Sequence, residues 1–204
     1  MRLLTERKIV LASHNGGKIK EIEALLSPYG IESISAAVLG IPEPAETETT
    51  FTGNARIKAH NGAKSSGYPA LADDSGIEVV ALNGAPGVYT ADWAEASKGR
   101  DFALAMTKVW NQLEKRAVPE PRLARFVCTL CLAWPDGQDA VFTGSVDGRI
   151  VWPMRGEFGF GFDPIFLPEG HSVTFAEMDP RHKAAISHRA AAFAAFLEII
   201  PRHG

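Results

Sequence analysis

Cysteine is scarce: Cys128 and Cys131 are the only two among 204 residues, too few for a disulfide framework. Their spacing is C-x-x-C, but the flanking residues 123–127 and 132–134 are rich in strand formers. Residues three apart on a strand point to opposite faces, so two separate core thiols are expected rather than a shared metal site or a bridge. No second Cys or His pair completes a zinc site. Long apolar runs are missing too. Ile9-Val10-Leu11-Ala12 is too short for a secretory h-region. The longest run, residues 190–200, contains Glu198 and falls short of the roughly 20 residues that span a bilayer. Basic residues are not in excess: 21 Lys and Arg against 24 Asp and Glu give a net charge of −3, which speaks against a nucleic-acid-binding surface. These absences lead to the expectation of a cytoplasmic protein with no membrane and no nucleic-acid partner.

What is present is an ordinary globular composition, 46% hydrophobic and 22% charged, in a chain long enough to bury a sizeable core. Residues 8–12 read as a buried strand, and 18–29 as a helix with Ile19, Ile22, Leu26 and Tyr29 on one stripe. A short strand at 31–35 leads into a loop, 40–50, that carries Glu43, Glu46 and Glu48 and no basic residue. Residues 51–66 read as a second helix, rich in small side chains and closed by Gly67. Strands at 69–72 and 77–82 flank a turn at Asp73-Asp74-Ser75-Gly76. A helix at 100–116 is followed by strands at 123–134 and 140–151, a glycine-rich loop at 155–163, a short strand at 165–167 and a last helix at 179–200. No repeat or low-complexity linker interrupts this order. It predicts an α/β fold, a mixed β-sheet flanked by helices, in one domain over residues 1–204.

Two of these junctions carry chemistry. Ser13-His14-Asn15-Gly16-Gly17-Lys18 lies between a strand and a helix, an arrangement that aims backbone N–H groups at an anion. Ser13 and Asn15 can add side-chain donors, and Lys18 a point charge suited to phosphate. The segment is not a Walker A loop, because the upstream glycine is missing and Ile19 follows the lysine. Asp73 and Asp74 are adjacent carboxylates, which suit a hard divalent cation that takes one or two carboxylates plus phosphate and water. Glu46, from the acidic loop, is the best second ligand. A phosphate cradle beside a magnesium-type acid pair points to chemistry on a nucleotide. Farther along, Gly159-Phe160-Gly161-Phe162-Asp163-Pro164 sets two aromatic rings among glycines, where a ring can stack on a base. Lys183, Ser187, His188 and Arg189 form a polar, basic side of the last helix.

Taken in order, these segments resemble the inosine triphosphate pyrophosphatase family, whose members hydrolyse non-standard purine nucleoside triphosphates. The family's [ST]-x-N-x-x-K is matched by Ser13, Asn15 and Lys18, and its acidic-loop glutamate by Glu46, five residues before Phe51. A-D-D-S-G is matched by Ala72 to Gly76, G-A-P-G-[IV]-Y by Gly84 to Tyr89, G-F-G-[YF]-D-P by Gly159 to Pro164, and K-x-x-I-S-H-R by Lys183 to Arg189. The chain departs from the family at His14, where glycine is usual, and at Asp92, where arginine is common. Glu48 and Gly53 depart from the pattern E-x-G-x-T-F-x-E-N-A.

The resemblance implies an elongated two-lobed structure with a central cleft, a homodimer, and a magnesium-dependent reaction. In that reaction ITP, dITP or XTP plus water gives the monophosphate and pyrophosphate. Asp74 is then expected to position or activate the attacking water and to hold Mg2+ with Glu46, Asp73 being a support or further ligand. Lys18, Ser13 and Asn15, with His14, Gly16 and Gly17 in the same turn, are expected at the pyrophosphate end, and Ser75 at the substrate. Phe162 is the expected stacking ring, with Phe160, Gly161 and Asp163 shaping the wall. Lys183, His188 and Arg189 are assigned to the base and the phosphate edge. Two other readings are a Maf-type pyrimidine nucleotide pyrophosphatase and a nucleotide-binding regulatory module that does not hydrolyse. The I-S-H-R and G-F-G-F-D-P segments argue against the first, and the intact Glu46 and Asp74 pair against the second.

Overall fold

Alternation of side chains along the first strands decides the layering. In the computed structural model, which describes residues 2–97 and 99–201, β1 (Lys8–Leu11) sits between two parallel partners. One is β2 (Glu32–Ser35), with Lys8 opposite Glu32; the other is β3 (Ala70–Val79), with Val10 opposite Ala70. The six-stranded sheet runs β2-β1-β3-β6-β7-β8, where β6 is Leu123–Ala133, β7 Asp139–Ile150 and β8 Phe166–Pro168. β7 and β8 are antiparallel, so the sheet is mixed, as expected. A two-stranded ribbon, β4 (Glu95–Ala96) with β5 (Gly99–Arg100), has no counterpart in the sequence reading. The helices are α1 (Gly16–Leu26), α2 (Phe51–Ser66), α3 (Phe102–Lys115), α4 (Pro180–Ile186) and α5 (His188–Phe196).

The described chain divides into two units. The first takes residues 2–74, 128–144 and 189–201. In it Ile9, Leu11, Leu71 and Cys128 pack with Ile22 and Leu26 of α1 and Phe193 and Phe196 of α5. On the other face Val10, Ala12, Ala70, Ala72 and Cys131 pack with Ala55, Ala59 and Ala63 of α2. The two cysteines thus enter opposite faces as separate core thiols, and burial pushes both up to about 12. The small face of α2 lets it ride close to the sheet: a Cβ on Gly62 would lie 3.0 Å from those of Ala12 and Ala70. That closeness brings the next inward position, Lys58, down to the strands.

The second unit takes residues 75–127 and 145–188. Its core gathers Ile77, Val79, Phe126, Ile150, Ile165 and Phe166 with Ala105, Met106, Val109 and Leu113 of α3.

Two expectations need correction. Asp73 to Gly76 do not form a turn: they lie inside β3, which pairs with β1 at Ala70 and Leu71, has β6 as its other neighbour and runs on extended to Val79, so the strand overrides the turn preference of Asp-Ser-Gly. The last helix is not continuous either. Ser187 has an extended ψ of 158°, which ends α4 and starts α5 afresh at His188.

Candidate active site

The phosphate turn is built by its own side chains. Ser13 Oγ accepts from the Asn15 N–H at 3.2 Å. Asn15 is the N-cap of α1, its Oδ1 accepting from Gly17 N at 3.0 Å and Lys18 N at 3.2 Å. Two of the N–H groups expected to face an anion are therefore engaged by Asn15. His14 turns away from the cradle and donates from Nε2 to Ile41 O at 3.1 Å. Lys18 projects onto the acidic strand, its Nζ 3.1 Å from Asp73 Oδ1.

Because β3 is extended there, Asp73 and Asp74 point to different surroundings. Asp73 is 1% exposed; its Oδ2 accepts from Arg189 Nη2 at 3.0 Å, and Arg189 is in turn held by Glu21 of α1. Burial alone would raise the Asp73 pKa, but Lys18 and Arg189 hold its carboxyl well below the usual carboxylate range. Asp74, 5% exposed, takes the opposite course. Its Oδ1 accepts from Lys58 Nζ at 3.2 Å, and the same ammonium donates to Glu46 Oε1 at 2.8 Å. Burial, with the negative charges of Glu46 and Asp73, outweighs Lys58 and Lys18 and pushes Asp74 up to about 6. Lys58 itself is raised: burial works against its charge, and Asp74, Asp73 and Glu46 more than offset it.

Lys58 is, with Asn54 and Ala55, a retained position of the family pattern, but the sequence alone gives it no role in the site. Its signal was there, a lysine between Ala55 and Ala59 on the buried face of a small-residue helix. Such a charge is retained only where carboxylates meet it.

Asp74 Oδ2 is buried and has no hydrogen-bond partner. A lone carboxylate oxygen beside a second carboxylate fits a hard divalent cation. No group of three or more His, Cys, Asp and Glu among the described residues could hold a metal alone. The set suits magnesium, whose remaining positions go to phosphate oxygens and water.

The departures at 48 and 53 are one feature. A Cβ on Gly53 would lie 2.5 Å from Glu48 Cβ, so the side chain absent from position 53 leaves the space that Glu48 fills.

In the second unit, Phe162 does not offer the expected stacking face. It is 1% exposed, lies in the core of the second unit and packs edge-on against Phe102 at 6.1 Å between centroids. Phe160 is the half-buried ring, with Lys183 Nζ 4.7 Å from its centroid. Asp163 organises this corner: its Oδ2 accepts from the Phe160 N–H at 2.8 Å and from Lys183 Nζ at 2.7 Å. Gly159 has φ +75°, and any Cβ there would collide with the Asp163 carboxylate, so glycine is required. Gly161 also has a positive φ, +67°. His188 stacks on Phe126 at 4.8 Å. Ser75 is half-buried on β3. The structure thus brings Lys18, Glu46, Asp73, Asp74 and Arg189 together in the first unit, and Phe160, Asp163 and Lys183 in the second. Arg189, assigned from sequence to the base, has its guanidinium on Asp73 and Glu21.

The sequence matches the Ham1 family over residues 9–199. It is 58% identical over 190 residues to a dITP/XTP pyrophosphatase of Ruegeria pomeroyi, covering 93% of each chain. To a dITP/XTP pyrophosphatase of Brucella melitensis it is 53% identical over 209 residues, covering 97% of this chain and 95% of the relative. Among solved structures, a HAM1 protein of Coxiella burnetii superimposes with a TM-score of 0.86 at 39% identity, over 95% of this chain and 98% of that one. A nucleoside-triphosphatase, dITP/XTP pyrophosphatase, of Mycobacterium abscessus gives 0.74 at 39% identity, over 93% and 97%.

Proposed function

This chain belongs to the Ham1 family, and from that premise we propose that it removes non-standard purine nucleotides from the nucleotide pool. It is a nucleoside-triphosphate pyrophosphatase that hydrolyses non-standard purine nucleoside triphosphates to the monophosphate and pyrophosphate. ITP, dITP and XTP are the proposed substrates. The observation that carries the site assignment is Asp74: a buried carboxylate raised to about 6, with an unpartnered oxygen beside Glu46.

In this reading Asp74 orients and deprotonates the water that attacks the α-phosphorus. Glu46 and Asp74 would hold Mg2+, which when bound neutralises charge on the phosphate oxygens. Asp73 we assign to anchoring Lys18 and Arg189, supported by its two ion pairs. Lys18 meets the departing pyrophosphate, where charge builds in the transition state. Ser13 and Asn15 hold the turn from which it projects, with Gly16 and Gly17 allowing close approach. Lys58 fixes the spacing of Glu46 and Asp74. Ser75 is placed at the substrate. Phe160 takes the stacking role on the purine, with Gly161, Phe162 and Asp163 supporting its loop and Lys183 and His188 at the base edge.

The family resemblance further supports a homodimer, and a nucleotide-pool substrate supports a cytoplasmic location. Among the described residues no helix is long and apolar enough to cross a membrane. We take residues 1–204 as one pyrophosphatase domain, since the family match spans nearly all of it.

The test is pyrophosphate release from ITP, XTP, GTP, ATP, dTTP and UTP, each with Mg2+ and with EDTA. Magnesium-dependent release favouring ITP and XTP is expected. Preference for dTTP or UTP would move the chain to the Maf-type reading, and tight ITP binding without release to the regulatory one.

A further inference from the structure

His14 joins the phosphate turn to the loop that carries Glu46. Of the polar side chains at residues 13–15, Ser13 and Asn15 bond inward to their own backbone, while His14 Nε2 reaches Ile41 O at 3.1 Å. A carbonyl only accepts, so Nε2 carries the proton in this contact. Ile41 is where the acidic loop leaves the core: its side chain is buried in the cluster that also holds Ala12, Ala55 and Ala59, and its N–H bonds Ala36 O at 2.9 Å. Beyond it, Pro42 and Pro44 fix φ and remove two backbone donors. Asn61 Nδ2 donates to Pro42 O at 3.2 Å, and the next side chain tied down is Glu46, on Lys58. Residues 41–46 therefore form a short, stiff strap, with His14 at its root and the Glu46 carboxylate at its end.

We propose that His14 is a positioning residue, setting where the Glu46 carboxylate stands and thereby the divalent-cation requirement of the enzyme, rather than a ligand of the nucleotide. This rests on the assignment of Glu46 to the cation. The side chain is exposed, so its removal leaves the core intact. What it removes is one hydrogen bond at the root of the strap, a loss that widens the range of positions open to Glu46.

The experiment compares the full chain with His14→Ala, His14→Gln and Glu46→Gln. It reads the Mg2+ concentration at half-maximal ITP hydrolysis, the KM for ITP at saturating Mg2+, and amide hydrogen exchange over residues 41–48 in metal-free protein. For His14→Ala, the Mg2+ half-saturation is expected to rise about 3- to 10-fold, the loss of one hydrogen bond. The 41–48 amides are expected to exchange faster, and the KM for ITP at saturating Mg2+ to hold. Glutamine, whose amide N–H can donate to the same carbonyl, is expected to restore most of both effects. A raised KM for ITP with unchanged Mg2+ half-saturation would make His14 a phosphate ligand and overturn the proposal; no change in any readout would overturn it as well. If Glu46→Gln leaves the Mg2+ requirement unaltered, the cation assignment fails. The strap then stands or falls separately on the amide exchange of His14→Ala.

Discussion

Lys18 Nζ lies 3.1 Å from Asp73 Oδ1, so the lysine proposed to meet phosphate is aimed by a buried carboxylate. Arg189 on the other oxygen keeps that carboxylate ionised, and Glu21 balances Arg189. The four groups form two positive and two negative charges; Asp73 and Arg189 are fully buried, and each of those two is tolerable only because the other is present. A phosphate that engages Lys18 meets a side chain already oriented, which lowers the ordering cost of binding.

Lys58 holds two carboxylates that would otherwise repel. Lys58→Met is expected to destabilise the fold by about 3–5 kcal/mol, the cost of breaking a buried ion pair from one side. It also removes the nearest charge lowering Asp74, so the acid limb of the activity profile is expected to move above its wild-type position. Urea denaturation and a pH–rate profile read the two effects separately.

The pH dependence of the wild type follows from Asp74. Its carboxyl is pushed up to about 6, mainly by burial, and the ionised form is the one that accepts a proton from water. Activity is therefore expected to fall about tenfold per pH unit below that value. Raising Mg2+ should shift the limb to lower pH, because a cation binds the ionised carboxylate in preference to the acid. A flat profile between about pH 5 and pH 7 at fixed Mg2+ would count against Asp74 as the base.

Phe160 and Phe162 are expected to fail in different ways. Phe162→Ala empties a core position and should cost about 3–5 kcal/mol of stability. Phe160→Ala should leave stability nearly unchanged and raise the KM for ITP by about ten- to a hundredfold, the worth of one stacking contact. Thermal melts alongside ITP kinetics distinguish them.

Glu48 and Gly53 form a testable pair. Gly53→Ala alone is expected to cost about 1–3 kcal/mol, because its Cβ overlaps the Glu48 stem. With Glu48→Gly in the same chain most of that cost should vanish. A double-mutant cycle should give a coupling of about 0.5–3 kcal/mol.

The sequence was most readable where local signals and tertiary pairing agree. The strand at 8–12 and the helix at 18–29 announce themselves through an apolar run and a stripe at helical spacing; the structure keeps both, with the helix at Gly16–Leu26 and Asn15 as its cap. Asp73 to Gly76 read as a turn because turn preference is local, while the ten-residue strand β3 that contains them is set by neighbours distant in sequence. Phe162 misled for a related reason: two rings separated by one glycine look alike in sequence, and only the fold turns one into the core. Lys58 has no role legible in sequence, because a single lysine in a helix ordinarily faces water and its carboxylate partners lie 12 and 16 residues away. Arg189 shows the limit of reading a polar face from spacing alone, since its partners Glu21 and Asp73 come from distant elements.

The most direct measurement is pyrophosphate release from ITP by Asp74→Asn beside the wild type, with Mg2+ saturating and folding verified by thermal melt. The change keeps the shape of the side chain and removes its capacity to take a proton. A folded variant with turnover reduced by about a hundredfold or more is the expected result. A folded variant with near-normal turnover would contradict the assignment of Asp74 and, with it, the chemistry placed at this site.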